Sequence, residues 1–413
     1  MITPAYSPTA TERVLPRMAL DFTTGVLDNR VTVTRALNTA TRVNSSGYIE
    51  AVNANLPRFD YDPVTLLPRG LLIEETRANF VLQSNTLNAG SGISVTSAAA
   101  TSPDGTTNAY RVAKTDATTP RYTSNNTSMT VTSNTTYTVS RFVKYDGFNT
   151  TVSLEYNNTI NWDLSWNAQF TVASTGVTVL SAAGCTAAAQ NFGDSWYRIT
   201  ATFTTGALVT SPTNPTFLMR LTGASGVTVL GYGAQLELGA FATSYIPTTT
   251  TNLTRNADAV SMTGTNFSDW YNESEGAFKV CAGLLFDITS STIMAVKNAA
   301  VTNTIGFDLD ASNGLRWRIT DAGANQAFCY LASPATANTR YIMCGRYKVN
   351  SFAASANGGA PVTDSAGTVP ATNTYLAIGS NSALGATPIN GYVECIYYWP
   401  QALTNAEVQA FSK

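Results

Sequence analysis

Asp194–Thr204 reads DSWYRITATFT, with Tyr197, Ile199, Ala201 and Phe203 on one parity and Trp196, Arg198, Thr200 and Thr202 on the other. Successive side chains of a strand point to opposite faces, so this alternation spells a half-buried β-strand rather than a helix. The same period of two continues on both sides. Val152, Leu154 and Tyr156 alternate with Thr151, Ser153 and Glu155; Phe217, Met219 and Leu221 follow; Ala234, Leu236 and Leu238 stand against Gln235 and Glu237. Clusters of Gly, Asn, Ser and Pro separate these runs, as turns require. Residues 81–250 therefore read as an antiparallel β-sandwich.

A second alternating set fills residues 276–413. Phe278, Val280, Ala282, Leu284, Phe286 and Ile288 keep one parity, and Leu315, Trp317 and Ile319 alternate with Arg316, Arg318 and Thr320. Near the end, Val393, Cys395 and Tyr397 alternate with Tyr392, Glu394, Ile396 and Tyr398 until Pro400 stops the strand. Thr404-Asn405-Ala406-Glu407 is a capping box, which opens a short helix with Val408 and Phe411 toward the sandwich. Residues 251–275, rich in turn formers, read as a connector. The expected fold is all-β: an extended N-terminal arm over residues 1–80, two β-sandwich domains and one short C-terminal helix.

Composition narrows the function. A chain of 413 residues has room for two or three domains, and charged residues make up 12%, about half the usual share. Thr, Ser and Asn must supply the polar surface. A net charge of −2 offers no basic field, so neither nucleic acid nor an anionic membrane is an expected partner. No apolar run reaches the length of a membrane span, and Met1–Ala10 lacks the basic start and apolar core of a signal peptide. Membrane insertion is not expected, and the protein should be soluble where it is made. The five cysteines form no C-x-x-C pair and read as small buried apolar residues in a reducing cytoplasm, not as disulfides or a zinc site. Histidine is absent, which removes Ser-His-Asp, Cys-His and HExxH chemistry together. No glycine-rich phosphate loop appears.

The N-terminal fifth differs from the rest. Residues 1–80 hold eight Arg, eight acids and no Lys, and the first lysine is Lys114. Arginine's planar fork suits fixed pairing at interfaces, whereas lysine suits a solvated surface. Pro57–Phe80 (PRFDYDPVTLLPRGLLIEETRANF) adds three prolines that stiffen the backbone. Two readings stand open: a strap that docks on other chains, through Arg58, Asp60, Asp62, Arg69, Glu74, Glu75 and Arg77, or an ordinary loop before the first sheet. Arg30–Arg35 (RVTVTR) alternates and suits a single strand paired with a neighbour.

These residues also carry a resemblance. LDFTTGVLDNRVTVTR (Leu20–Arg35), ATRVNSSGYIEAVNANLPRFDYDP (Ala40–Pro63) and GLLIEETRANFVLQS (Gly70–Ser84) resemble the N-terminal region shared by fibre and tail proteins of tailed bacteriophages. DSWYRITATFT and GAQLELGAFATSYIPT (Gly233–Thr248) are similar to strands of carbohydrate-binding-type jelly rolls in phage tail proteins. The closing strand and x-A-L-T-x-A-E-V resemble the end of concanavalin A-like, laminin-G-type domains. The resemblance implies a virion protein assembled in the bacterial host cytoplasm. It implies an arm bound to other virion proteins, a homotrimer, and sandwiches that attach to a host-surface glycan. It leaves open a tail fibre or a capsid-attached head fibre or decoration protein.

The chemistry in reach is sparse. A polysaccharide depolymerase needs only two carboxylates, and Asp308/Asp310 and Glu273/Glu275 are the available pairs. Neither matches the E-x-D-x-x-E strand of lectin-fold glycanases, so the expectation is a protein without enzymatic activity. Asp308 and Asp310 are also weak candidate calcium ligands, although calcium takes several oxygens and a solvated strand face is the preferred reading. For glycan binding, Trp162, Asp163 and Trp166 offer two rings at i and i+4 on one strand face, a parity that suits either a platform or the core. Trp270 and Tyr271, in the connector, form a second candidate pair.

Overall fold

The strand written by DSWYRITATFT runs Trp196–Thr204, antiparallel between Thr136–Tyr145 and Thr186–Asn191. The structure is a computed structural model that describes residues 15–37, 39–117, 121–156, 166–207, 216–286, 289–382 and 385–413. The protein is all-β and divides into two units. One comprises Arg35–Pro68 and Thr76–Ala257; the other comprises the chain up to Thr34, Arg69–Glu75 and Asp258–Lys413.

In the 76–257 unit two six-stranded antiparallel sheets face each other. Ile199, Ala201, Phe203, Val152, Leu154, Met219, Leu221 and Leu236 meet in the core between them. The alternation is half the story, because Trp196 and Arg198 are buried as well. Their face carries a second cluster of Phe142, Trp196, Leu230, Tyr232 and Tyr245, joined by Ile49 from the N-terminal ribbon Ala40–Val43/Ile49–Val52. Asn79 is fully buried. Its amide donates to Ala234 O (3.1 Å) and Ile246 O (2.8 Å), and its Oδ1 accepts from Val81 N and Leu236 N.

The 258–413 unit stacks a seven-stranded sheet, ordered Thr32–Thr34, Ala259–Thr263, Tyr375–Ile378, Thr292–Lys297, Thr304–Leu309, Leu315–Asp321 and Ala324–Ala332, on a second sheet. That second sheet runs Val362–Asp364, Phe352–Ala356, Thr339–Lys348, Glu275–Leu284 and Gly391–Trp399. Gly391–Trp399 is closed on its other side by two N-terminal pieces: Met18–Asp21 pairs with Cys395–Tyr398, and Leu71–Ile73 pairs with Gly391–Val393. At Gly70, φ is +94° and an added Cβ would sit 2.5 Å from Val393 O, so only glycine lets this segment lie so close. The helix Asn405–Phe411 has the expected capping box, with Val408 buried and Phe411 stacked on Trp399 at 4.7 Å. A further one-turn helix, Thr265–Ser268, lies in the connector.

Three expectations need correction. Residues from Met18 onward are not an arm without a core of its own: Met18, Leu20, Phe22, Val31 and Leu71–Ile73 are all buried, and RVTVTR supplies Thr32–Thr34, which pairs with Ala259–Thr263 of the same chain. Short apolar strips find their partners hundreds of residues downstream, where local periodicity gives no hint of them. The arginines there also turn inward. Arg35 donates to Asn53 O (2.7 Å) and Leu56 O (3.1 Å), and Arg58 donates to Thr41 O (3.1 Å) and Ser244 Oγ (3.0 Å). The cysteines are not all free: the register sets Cys281 directly opposite Cys395, and the two form a disulfide.

Deleting Met1–Arg69 therefore strips strands and core side chains from both units. The truncated chain is expected to be insoluble or to lose its cooperative thermal transition. Soluble protein with unchanged melting, read by circular dichroism and size exclusion, would refute this integration.

Candidate functional site

Leu315–Asp321 (LRWRITD) sets the site. Leu315, Trp317 and Ile319 are fully buried, and the Trp317 indole donates to Arg346 O at 3.1 Å. Arg316 and Arg318 take the opposite parity and face outward. Pairing places Arg316 across from Asp308 on one neighbour and Tyr330 on the other, and Arg318 across from Gly306 and Phe328. Asp308, 5% exposed, is gripped from both sides: Arg316 Nε lies 2.8 Å from Oδ1 and Arg318 Nε 2.8 Å from Oδ2. The Arg316 guanidinium also stacks over Phe328 at 4.9 Å.

Asp310 follows the strand Thr304–Leu309 and lies in the turn beyond it. Its Oδ1 accepts from Ser312 N and Gly314 N, both at 2.8 Å, and the Tyr330 hydroxyl donates to its Oδ2 at 3.2 Å. The two backbone donors, first Gly314 and then Ser312, hold its carboxyl below the usual carboxylate range. Burial pushes the Lys297 amine down to about 8; the Arg318 charge adds to that effect and Asp308 opposes it.

Backbone bonds build the rim. Leu309 N donates to Ser291 O (2.8 Å), Ser290 N to Asp310 O (3.0 Å) and Thr292 N to Thr387 O (3.1 Å). The result is a cleft of about 590 Å³ lined by Ser290, Ser291, Asp308, Arg318, Asn381 and Thr387, among others. Ser291 is 3% exposed, and its Oγ has no hydrogen-bond partner among the described residues; nor has Asn381 Oδ1. Leaving a buried polar group unmet costs about 1–3 kcal/mol and is rare in folded proteins. Two such groups leave the cleft with unfilled hydrogen-bonding capacity.

This arrangement suits recognition more than catalysis. A glycosidase acid needs a carboxyl held protonated near neutrality, whereas Asp310 is pushed the other way and Asp308 sits between two guanidinium groups. Glu273 accepts from Thr372 N (3.1 Å) and Glu275 pairs with Lys348 (2.8 Å), so they form no facing pair. The arginines also spoil Asp308 as a calcium ligand, and no group of three or more His, Cys, Asp or Glu able to hold a metal occurs among the described residues. Nor is Asp308 on a solvated strand face: the sequence reading missed that the hairpin closes two arginines over it.

Trp166 and Trp270 are core residues, and Tyr271, next to Trp270 in sequence, is half-buried. Trp166, 2% exposed, stacks on Phe203 with ring centroids 4.6 Å apart. Trp270, 3% exposed, packs on Phe267 and Tyr398 and donates to Asn266 O (2.8 Å). Tyr271 stacks on Phe267 at 4.7 Å, and its hydroxyl accepts from Asn373 Nδ2 (3.0 Å). Trp162 and Asp163 lie outside the described residues.

The strap candidates are engaged within their own units. Arg58 and Asp60 are buried, Asp60 accepting from Val43 N (2.6 Å), and Asp62 caps a turn through Val64 N and Thr65 N. Arg69 donates to the Tyr392 hydroxyl (3.2 Å), and Arg77 lies over the Phe241 ring at 4.7 Å. Glu74 is buried beside Asp258, and Glu75 N donates to Asn390 Oδ1 (2.8 Å). The expectation that they face another chain is corrected for the buried ones, because burial in their own fold has already used their surface.

The sequence signal that marks the cleft is D-L-D-A-S-N-G-L-R-W-R (Asp308–Arg318): two aspartates and two arginines, each at i and i+2, flanking an Asn-Gly turn. Folding that turn makes the pairs meet. A second cleft of about 390 Å³, between Lys144, Ser174, Asn191 and Tyr197 in the 76–257 unit, has no buried polar atom left unmet in this way.

Fold and cleft together define an all-β sandwich protein with a polar cleft beside Asp308. No protein-family model matches the chain, and no curated protein matches it. Among solved structures it is similar to the NanB sialidase of Streptococcus pneumoniae in a K499G mutant, at 14% identity and TM-score 0.31, over 37% of this chain and 26% of that one. It is similar to the heptameric SAP-like pentraxin of Limulus polyphemus at 12% identity and TM-score 0.27, over 34% and 70%. It is also similar to the LG1-3 region of the laminin alpha2 chain at 10% identity and TM-score 0.25, over 69% and 66%. The chain thus spans about a quarter of the sialidase.

Trp166→Ala separates core from platform. A core tryptophan is expected to cost about 3–5 kcal/mol of stability in chemical denaturation. An unchanged denaturation midpoint would return Trp166 to the ligand-facing candidates.

Proposed function

We propose that this chain is a glycan-binding fibre protein of a tailed-bacteriophage virion, and that the cleft beside Asp308 receives a sugar of the host surface. The observation that carries the glycan reading is the pair of unmet buried polar atoms, Ser291 Oγ and Asn381 Oδ1, in a cleft otherwise lined by fixed donors and acceptors. Sugars present dense, directional hydroxyls and reward such an array. The phage placement draws on the resemblance of Leu20–Ser84, and fibre proteins of that kind are trimers. Several weak sites on one particle gain avidity when they engage together. A depolymerase is the less favoured reading, since both carboxylates near the cleft are held ionised or ion-paired. Attachment to other virion proteins falls to surface other than the buried strap residues.

Ser291→Ala and Asn381→Ala test the site, because neither removes a hydrogen bond seen within the fold. Melting temperature is expected to stay within about 3 °C, the effect of under 1 kcal/mol in a domain of this size. Affinity for a capsule or lipopolysaccharide fragment, chosen from a glycan array and measured by calorimetry, is expected to fall about five- to 150-fold. Binding equal to wild type in both variants, or no binding of any fragment by the wild type, would overturn the assignment.

A further inference from the structure

Charge in the cleft is unevenly matched. Asp308 is shared between two guanidinium groups, and Arg316 has further company in Asp310 Oδ2 (3.9 Å) and the Tyr330 hydroxyl (3.5 Å). Arg318 has only its share of Asp308. Its Nε lies 2.8 Å from Asp308 Oδ2 as an ion pair without a well-aligned hydrogen bond, and its two terminal nitrogens meet no partner among the described residues although the side chain is only 23% exposed. Lys297, buried at the end of the strand Thr292–Lys297 and outside the cleft lining, adds its charge to the field around Arg318 and Asp308. A half-enclosed guanidinium with its outer edge unmet is a fork that fits a planar carboxylate through two parallel hydrogen bonds. The neutral polar lining on the other side (Ser291, Asn381, Thr387) suits hydroxyls.

Resting on the glycan reading above, we infer that the cleft selects acidic sugars, a carboxylate of the ligand docking on the outer edge of Arg318 while its hydroxyls meet Ser291 and Asn381. The cleft volume of about 590 Å³ lies in the usual span of small-ligand sites, about 300–1,000 Å³.

The test compares each probe with its own carboxyl-reduced form. A glucuronate disaccharide and sialyllactose, native and reduced to the alcohol, are titrated into the full chain beside a neutral oligosaccharide. At least one native acid is expected to bind about tenfold or more tightly than its alcohol, with the margin shrinking as salt rises. Arg318→Ala is expected to erase the margin and Arg318→Lys to keep part of it, with melting curves checking that both variants fold. Equal binding of acid and alcohol, or preference for the neutral sugar, would sink the acidic selection and leave glycan binding standing. Failure of every sugar here and on the array would sink both.

Discussion

One strand edge decides whether the 258–413 unit exists as a folded body. Gly391–Trp399 pairs with Glu275–Leu284 on one side, and its other side would be an open row of N–H and C=O groups, the usual template for aggregation. Met18–Asp21 and Leu71–Ile73 close it in tandem. Arg69 then reaches Tyr392 across 323 residues of chain. Contacts of that range carry a large loop-closure cost and fold slowly. This unit completes its sheet only where residues 18–21 and 71–73 meet Gly391–Trp399, so segments far apart in the chain share one sheet.

The same economy explains the arginine-rich, lysine-free beginning. A buried arginine needs several acceptors at fixed angles, and carbonyl groups at turns and strand ends supply them. Arg35, Arg58 and Arg255 are all fully buried in the 76–257 unit. Arg58 and Arg255 converge on Ser244 Oγ at 3.0 Å each, while Arg198 donates to Thr243 O at 2.6 Å. Gln235 accepts from Ile246 N (2.7 Å) and Glu237 from Thr243 N (3.0 Å). The segment Thr243–Ile246 is thus a polar knot under an otherwise apolar sheet face. A lysine could not substitute there, because a point charge satisfies one acceptor direction at a time.

What could be read from the sequence follows from how far each signal reaches. Period-two alternation and a capping box are local, and the strands Trp196–Thr204, Leu315–Asp321 and Gly391–Trp399 and the final helix were all legible from them. Segments such as Met18–Asp21 and Thr32–Thr34 are too short to show a period and depend wholly on distant partners. Trp166 and Trp270 show the limit of parity: it fixes which side chains share a face but not which face meets the core. The cleft lay between these cases. Its aspartates and arginines stood in plain alternation, but only the hairpin register converts two like-charged pairs into one shared ion-pair node.

That node also separates what the cleft contributes to folding from what it reserves. Arg316 is fully used by Asp308, Asp310, Tyr330 and Phe328, and it stiffens the hairpin. Arg318, Ser291 and Asn381 keep capacity that the fold leaves unspent, at a cost to stability that selection for folding alone would remove. Stability can tolerate such a deficit where the surrounding sheet over-determines the geometry, as the buried Trp317 beneath and the paired strands on either side do here. On the proposed glycan reading, capacity of this kind, fixed in place and withheld from the protein's own groups, is what a rigid sheet face would use to discriminate among ligands without moving.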